Sequence, residues 1–105
     1  LALEVHRICG GFPELERYEL CSQMRRASRG IAQNIAEGWG RRVSEKEFRR
    51  FLTMALGSCD EMQVLLDFSR DLGYLPPAVQ SDLSGRYASI ARRIQAFSRR
   101  WSSSP

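Results

Sequence analysis

The feature that most constrains this chain is a set of apolar residues returning every three or four positions through three long segments with few helix breakers. In the last segment Val79, Leu83, Tyr87, Ile90, Ile94, Phe97 and Trp101 recur at steps of 4, 4, 3, 4, 3 and 4. In the segment before it Phe48, Leu52, Ala55, Cys59, Met62 and Leu66 step 4, 3, 4, 3 and 4. Earlier still, Leu20, Met24, Ala27, Ile31 and Ile35 step 4, 3, 4 and 4. Each set falls on one stripe of an α-helix, and no stretch alternates with period two long enough for a sheet. The expected fold class is all-α.

Breakers divide the chain cleanly. Gly10-Gly11 with Pro13, Gly38 to Gly40, and Gly73 to Pro77 predict helices over about 1–9, 14–39, 44–72 and 77–101 in a single domain, 1–105. Ser44 and Glu47 form a capping box, in which the Ser hydroxyl takes the Glu47 amide and the Glu side chain returns to the Ser44 amide. Gly73 suits the left-handed position closing the third helix; Pro76 and Pro77 then stop it and open the fourth, and Pro13 opens the second in the same way. Ser102 to Pro105 reads as a loose tail.

The three long helices would each span about 37–44 Å, and short connections make antiparallel neighbours. The expected architecture is an antiparallel up-down four-helix bundle with its first helix short or truncated. The chain opens on Leu1 rather than Met, and a full first helix would need residues upstream of it. Without them, apolar surface on the other helices stays uncovered unless another subunit covers it. Gly30 and Gly57, each costing up to about 1 kcal/mol against Ala in mid-helix, lie among Ala27, Ser28, Ala32, Ala36, Ala55 and Ser58. They predict a close crossing of the second and third helices.

Composition excludes several classes. A chain of 105 residues with 43% hydrophobic and 27% charged residues has room for one core and is not a disordered tail. Its apolar runs are too short for a membrane helix, and no basic-then-apolar leader precedes a cleavage site, which argues against secretion. Cys9, Cys21 and Cys59 are an odd number with no CxxC pair. Free buried thiols in a reducing cytoplasm are therefore expected, rather than disulfides or zinc.

Charge alternates along the chain. Residues 1–24 hold two Arg against four Glu, residues 25–50 eight bases against three Glu, residues 51–85 one Arg against five acids, and residues 86–105 five Arg with no acid. The total is +4. Arg86, Arg92, Arg93, Arg99 and Arg100 are expected to pair with Asp60, Glu61, Asp67 and Asp71 of the third helix, within the bundle or between subunits. One of Arg25 and Arg26 is expected to bond an acid on a neighbouring helix.

Catalytic constellations are hard to find. His6 is the sole histidine, so neither a Glu-x-x-His di-metal centre nor a nucleophile with a histidine base is built into the long helices. The Gly38-Trp39-Gly40 turn lacks the Lys and spacing of a phosphate loop. Glu37 and Glu61 read as ion-pair partners of Arg26 or Arg41 rather than as paired catalytic acids. The expectation is no enzyme activity, no catalytic residues, no cofactor and no metal.

Local motifs add a family. Phe12-Pro13, Glu16-Arg17-Tyr18-Glu19-Leu20 and Gln23-Met24-Arg25-Arg26-Ala27, then Asn34-Ile35-Ala36-Glu37-Gly38-Trp39-Gly40-Arg41, then Phe51-Leu52, Ala55-Leu56-Gly57-Ser58 and Glu61 follow one pattern. Over residues 5–75 it resembles the bacterial four-helix-bundle proteins named for intervening sequences of 23S ribosomal RNA genes, with retroelement accessory proteins as distant relatives. In the last helix only the apolar stripe and basic character correspond, and Gly30 stands where the family usually has Ser. The resemblance implies a ring-shaped homopentamer and association with nucleic acid. In the retroelement relatives it implies structured RNA and a reverse transcriptase as partners.

The residues themselves leave two readings open. Arg29, Arg41, Arg42, Lys46, Arg49 and Arg50 are the candidate phosphate-contacting set, since guanidinium groups bind phosphate bidentately and each neutralised phosphate releases counterion. In a pentamer the +4 of one chain would become about +20, a strong field for a polyanion. The same residues also read as a solvated face, with Glu45 and Glu47 pairing to Arg49 and Arg50. Trp39 either stacks on a base or anchors a helix end or subunit contact. Asn34, Glu37, Gly38, Gly57, Ser58 and Glu61 are expected in close helix or subunit contacts. The expected function is thus an oligomeric, cytoplasmic RNA- or DNA-binding bundle with no membrane role; the alternative is a protein-interaction scaffold.

Overall fold

The computed structural model describes residues 1–102, with the backbone alone for Glu16, Arg17, Trp101 and Ser102. Four helices follow one another: α1 Ala2–Cys9, α2 Glu14–Gly40, α3 Glu45–Asp71 and α4 Pro77–Ser102. The expected tail beyond residue 102 and the place of the Trp101 ring in the last stripe lie outside the described residues. Among the described residues there is no strand, and no helix is long and apolar enough to cross a membrane.

Helix α3 is the central element, packing on α2 and on α4, while α1 packs on α2. Trp39 meets Phe48, Gly38 lies against Phe51 and Gly30 against Ser58, so residue numbers fall along α2 as they rise along α3. Gln80 bonds Asp67, Ser84 bonds Gln63 and Phe97 meets Phe48, the same relation between α3 and α4. All six stripe residues of α3 are buried, as a helix between two neighbours requires.

The stripes of α2 and α4 are covered only part of the way. Leu20, Met24, Ala27 and Ile31 are buried, but Ile35 is exposed; Leu83, Tyr87 and Ile94 are buried, but Phe97 is exposed. The reason is the length of α1. Its eight residues lie beside the first half of α2, where Val5 and Cys9 enter the core and Glu4 forms a two-pronged ion pair with Arg86 of α4. Beyond that level an apolar groove of about 350 Å³ runs past Ile35, Trp39, Leu52, Ile94 and Phe97.

Local chemistry sets the helix ends, with two corrections. Gly73 has φ +80; its amide bonds Arg70 O and the Tyr74 amide bonds Ser69 O, the paired closure in which a left-handed glycine satisfies the last carbonyls. The Ser44 hydroxyl accepts from the Glu47 amide at 3.2 Å. Glu47 does not return the bond, because its carboxylate is held by Arg50 and the Ser44 amide donates to Arg41 O. Pro13 stands at the cap with extended ψ 144, one residue before the helix, rather than inside its first turn.

The cysteine expectation is overturned. Cys9 and Cys21 are joined as a disulfide with Cα atoms 5.8 Å apart, tying α1 to α2, and only Cys59 is a free thiol. Packing α1 against α2 brings together two sulfurs that their spacing along the chain does not relate. Burial, with Asp60 adding to it, pushes the Cys59 thiol up. The glycine expectation holds at one position of two: a Cβ on Gly30 would meet Ser58 Oγ at 2.8 Å, whereas Gly57 faces open space.

Candidate nucleic-acid interface

Helix α2 ends at Gly40, and the chain reverses within Arg41 to Ser44 through amide bonds from Arg41 to Gly38 O, Arg42 to Trp39 O and Ser44 to Arg41 O. This tight turn sets its own Arg41 and Arg42 beside Lys46, Arg49 and Arg50 of the first turns of α3, gathering five cations at one pole. Arg41 lies 3.7 Å from Glu37 and 3.6 Å from Glu47. Arg50 grips Glu47 at 2.8 Å, and Arg49 approaches Glu45 at 3.5 Å. The Arg50 bond holds the Glu47 carboxyl below its ordinary range and raises the Arg50 guanidinium.

Aromatic faces steady the same cations. The Arg42 guanidinium sits 4.3 Å from the Trp39 ring centre and donates to Trp39 O at 2.9 Å. Arg41 and Arg50 lie 5.2 and 4.5 Å from the Phe51 ring centre. Stacking of this kind orients a guanidinium while leaving its edge nitrogens available to an anion. The sequence offers a signal for it, an aromatic three residues before Arg42 across the end of α2, but the Phe51 contacts depend on the turn's geometry.

The pole therefore holds five cations, Arg41, Arg42, Lys46, Arg49 and Arg50, against Glu37, Glu45 and Glu47. Among the described residues Arg42 and Lys46 make no ion pair. Glu45, Lys46, Arg49, Arg50, Thr53 and Ser98 border one open groove. Asn34, Glu37, Gly40 and Arg41 line a second hollow beside it.

Several candidates fall elsewhere. Arg29 lies away from the pole, against α1. Asn34 donates to Gly30 O of its own helix at 2.8 Å, and Glu61 is exposed on α3. Gly38 is buried directly against Phe48 and Phe51. Within the single chain two pairing expectations are not met, at Arg86 and at Arg25 with Arg26. Arg86 pairs with Glu4 and with Asp82 of its own helix, not with α3 acids, while Asp67 is taken by Gln80 and Asp71 by Arg70. Neither Arg25 nor Arg26 has an ion pair among the described residues, and Arg25 Nε is buried without a partner. Among the described residues no three His, Cys, Asp or Glu side chains are grouped to hold a metal.

Fold and site together define a helical bundle protein with a cationic pole on one interhelical turn. The chain belongs to the 23S rRNA-intervening sequence protein family, whose sequence model matches residues 1–96 and so reaches well into α4. No curated protein matches it.

Proposed function

We propose that this protein is a non-catalytic, self-associating cytoplasmic module that holds the phosphate backbone of structured RNA or DNA at the α2–α3 pole. The observation that carries this reading is the excess of exposed cations there, with Arg42 and Lys46 free of carboxylates among the described residues. Backbone contacts of this kind give little base preference and a steep salt dependence. Closure of several copies into a ring, five in the arrangement the family resemblance implies, would repeat the pole around an axis and add the fields together.

The test is a titration of the pure protein against structured RNA over a range of salt. Affinity should fall steeply with salt, and Arg41→Glu with Arg42→Glu should flatten the log–log slope by about 1 for each contact removed. A second reading, a protein-interaction scaffold, draws on the intramolecular partners that Arg41, Arg49 and Arg50 already have. Failure to bind RNA or DNA even at low salt would decide for the scaffold.

A further inference from the structure

A second cationic place lies outside the pole. Residues 20–36 of α2 carry Arg25, Arg26 and Arg29 and no acid. Arg25, Ser28 and Arg29 form one wall of an open cleft of about 390 Å³, and Ala2, Leu3 and His6 of α1 form the other. Arg25 is half-buried, and its Nε is closed off from solvent with no hydrogen-bond partner.

Among the described residues no carboxylate pairs with Arg25 or Arg29. Glu4 of α1 and Asp82 of α4 are bound by Arg86, and Glu19 borders a separate hollow that Arg25 also lines. Among the described residues no acid lines the cleft. A half-buried arginine whose Nε has no acceptor and which makes no ion pair among the described residues is costly, and an anion bound to its guanidinium would offset part of that cost. Beside the two arginines stand apolar Ala2 and Leu3 and the ring of His6. A phosphate joined to a flat, weakly polar ring matches both halves at once.

We propose that the α1–α2 cleft binds a nucleotide, with Arg25 and Arg29 on the phosphate and Leu3 and His6 against the base. The inference rests on the nucleic-acid reading for its class of ligand, but on residues remote from the pole. A free nucleotide and a nucleotide within a strand present the same chemistry, so the experiment separates them.

Adenosine monophosphate and a single-stranded oligonucleotide are each titrated into the full chain, following the NMR signals of the Leu3 methyls and the His6 ring and measuring affinity by calorimetry. Arg29→Gln is an exposed change that should leave helicity intact, and it should weaken binding by about tenfold or more. Arg25→Gln should do the same; if it unfolds, Arg29→Gln alone decides. The pole variant, Arg41→Glu with Arg42→Glu, should leave mononucleotide affinity within about twofold, since distant sites act independently. Leu3 and His6 shifts with the mononucleotide, lost in Arg29→Gln, support a free-nucleotide site. The same shifts with the oligonucleotide alone support a strand-binding site. No shift with either ligand, or unchanged affinity in Arg29→Gln, overturns the proposal whether or not the pole binds RNA.

Discussion

The Cβ that Gly38 lacks would stand 2.9 Å from the Cβ of Phe51, 3.1 Å from Phe48 Cδ1 and 3.3 Å from Phe48 O. Neither a Cβ nor a carbonyl can rotate aside, so a methyl at this position must push α2 away from α3. Overpacking of this kind costs about 1–3 kcal/mol, against a helix-propensity gain of up to about 1 kcal/mol. Gly38→Ala should therefore lower stability by roughly 1–2 kcal/mol. Gly57, with nothing within 4 Å, should behave oppositely, Gly57→Ala adding up to about 1 kcal/mol. Urea denaturation of both variants checks the contrast; equal effects would mean that the helices are not in contact at Gly38.

The Cys9–Cys21 bond should govern the attachment of α1. Eight residues are too few for a helix to persist alone, since isolated helices below about 12–15 residues are marginal in water. The bond closes a short loop, worth about 3 kcal/mol in the chain-entropy picture. Dithiothreitol should lower stability by that order and speed hydrogen exchange of the α1 amides ahead of those in α3. Cys21→Ser should reproduce the reduced behaviour and remove the response to reductant. In a reducing cytoplasm the opened form would prevail, while the buried Cys59 should stay slow to alkylation in either state.

The α3 stripe was legible because a helix with neighbours on two sides needs a continuous apolar face, and Phe48 to Leu66 supply one. Where the cover on α2 and α4 stops was not legible: Ile35 and Phe97 continue their stripes, and only the placement of the short α1 leaves them exposed. Periodicity assigns a residue to a face, not to a level along the bundle. The same limit hid the disulfide, whose 5.8 Å Cα separation depends on how α1 lies on α2. The arginine cluster at the turn could be read from chain positions, because 41 to 50 are adjacent in sequence. Glu4 with Arg86 could not, since those residues are 82 positions apart.

Acid should loosen the protein through Glu4 and Glu47. Hydrogen bonds from Arg86 and from Arg50 lower the two carboxyls in the folded state. Groups lowered on folding contribute stability above their unfolded values and lose it as pH falls through the folded ones. Thermal melts from neutral pH down into the carboxylate range should therefore show a decline, smaller in Arg86→Gln because that variant lacks one of the two linkages. At the alkaline end the sign reverses in origin. Burial raises Tyr87 and Cys59, so stability present at neutral pH should fade as pH climbs past the ordinary thiol and phenol values toward the folded ones. A Tyr87→Phe variant should lose part of that alkaline decline.

Self-association should run along the outer ridge of the C-terminal end of α3 and its capping residue, Leu72. Val64, Phe68 and Leu72 are 63%, 56% and 44% exposed, and their spacing of four stacks them on one helix face. A run of large apolar side chains on the surface of a small bundle marks a contact site more often than a solvated one. Light scattering should give a mass several times the 12.0 kDa of one chain, about five times if the assembly is the ring that motivates the cationic field. Phe68→Asp places a charge in the ridge without touching the core, so circular dichroism should be unchanged while the mass falls. RNA affinity should fall with it, because linked copies of the Arg41–Arg42 pole gain from binding one polyanion together. A monomeric wild-type protein would remove the ridge's role, and RNA binding by that monomer would have to rest on one pole alone.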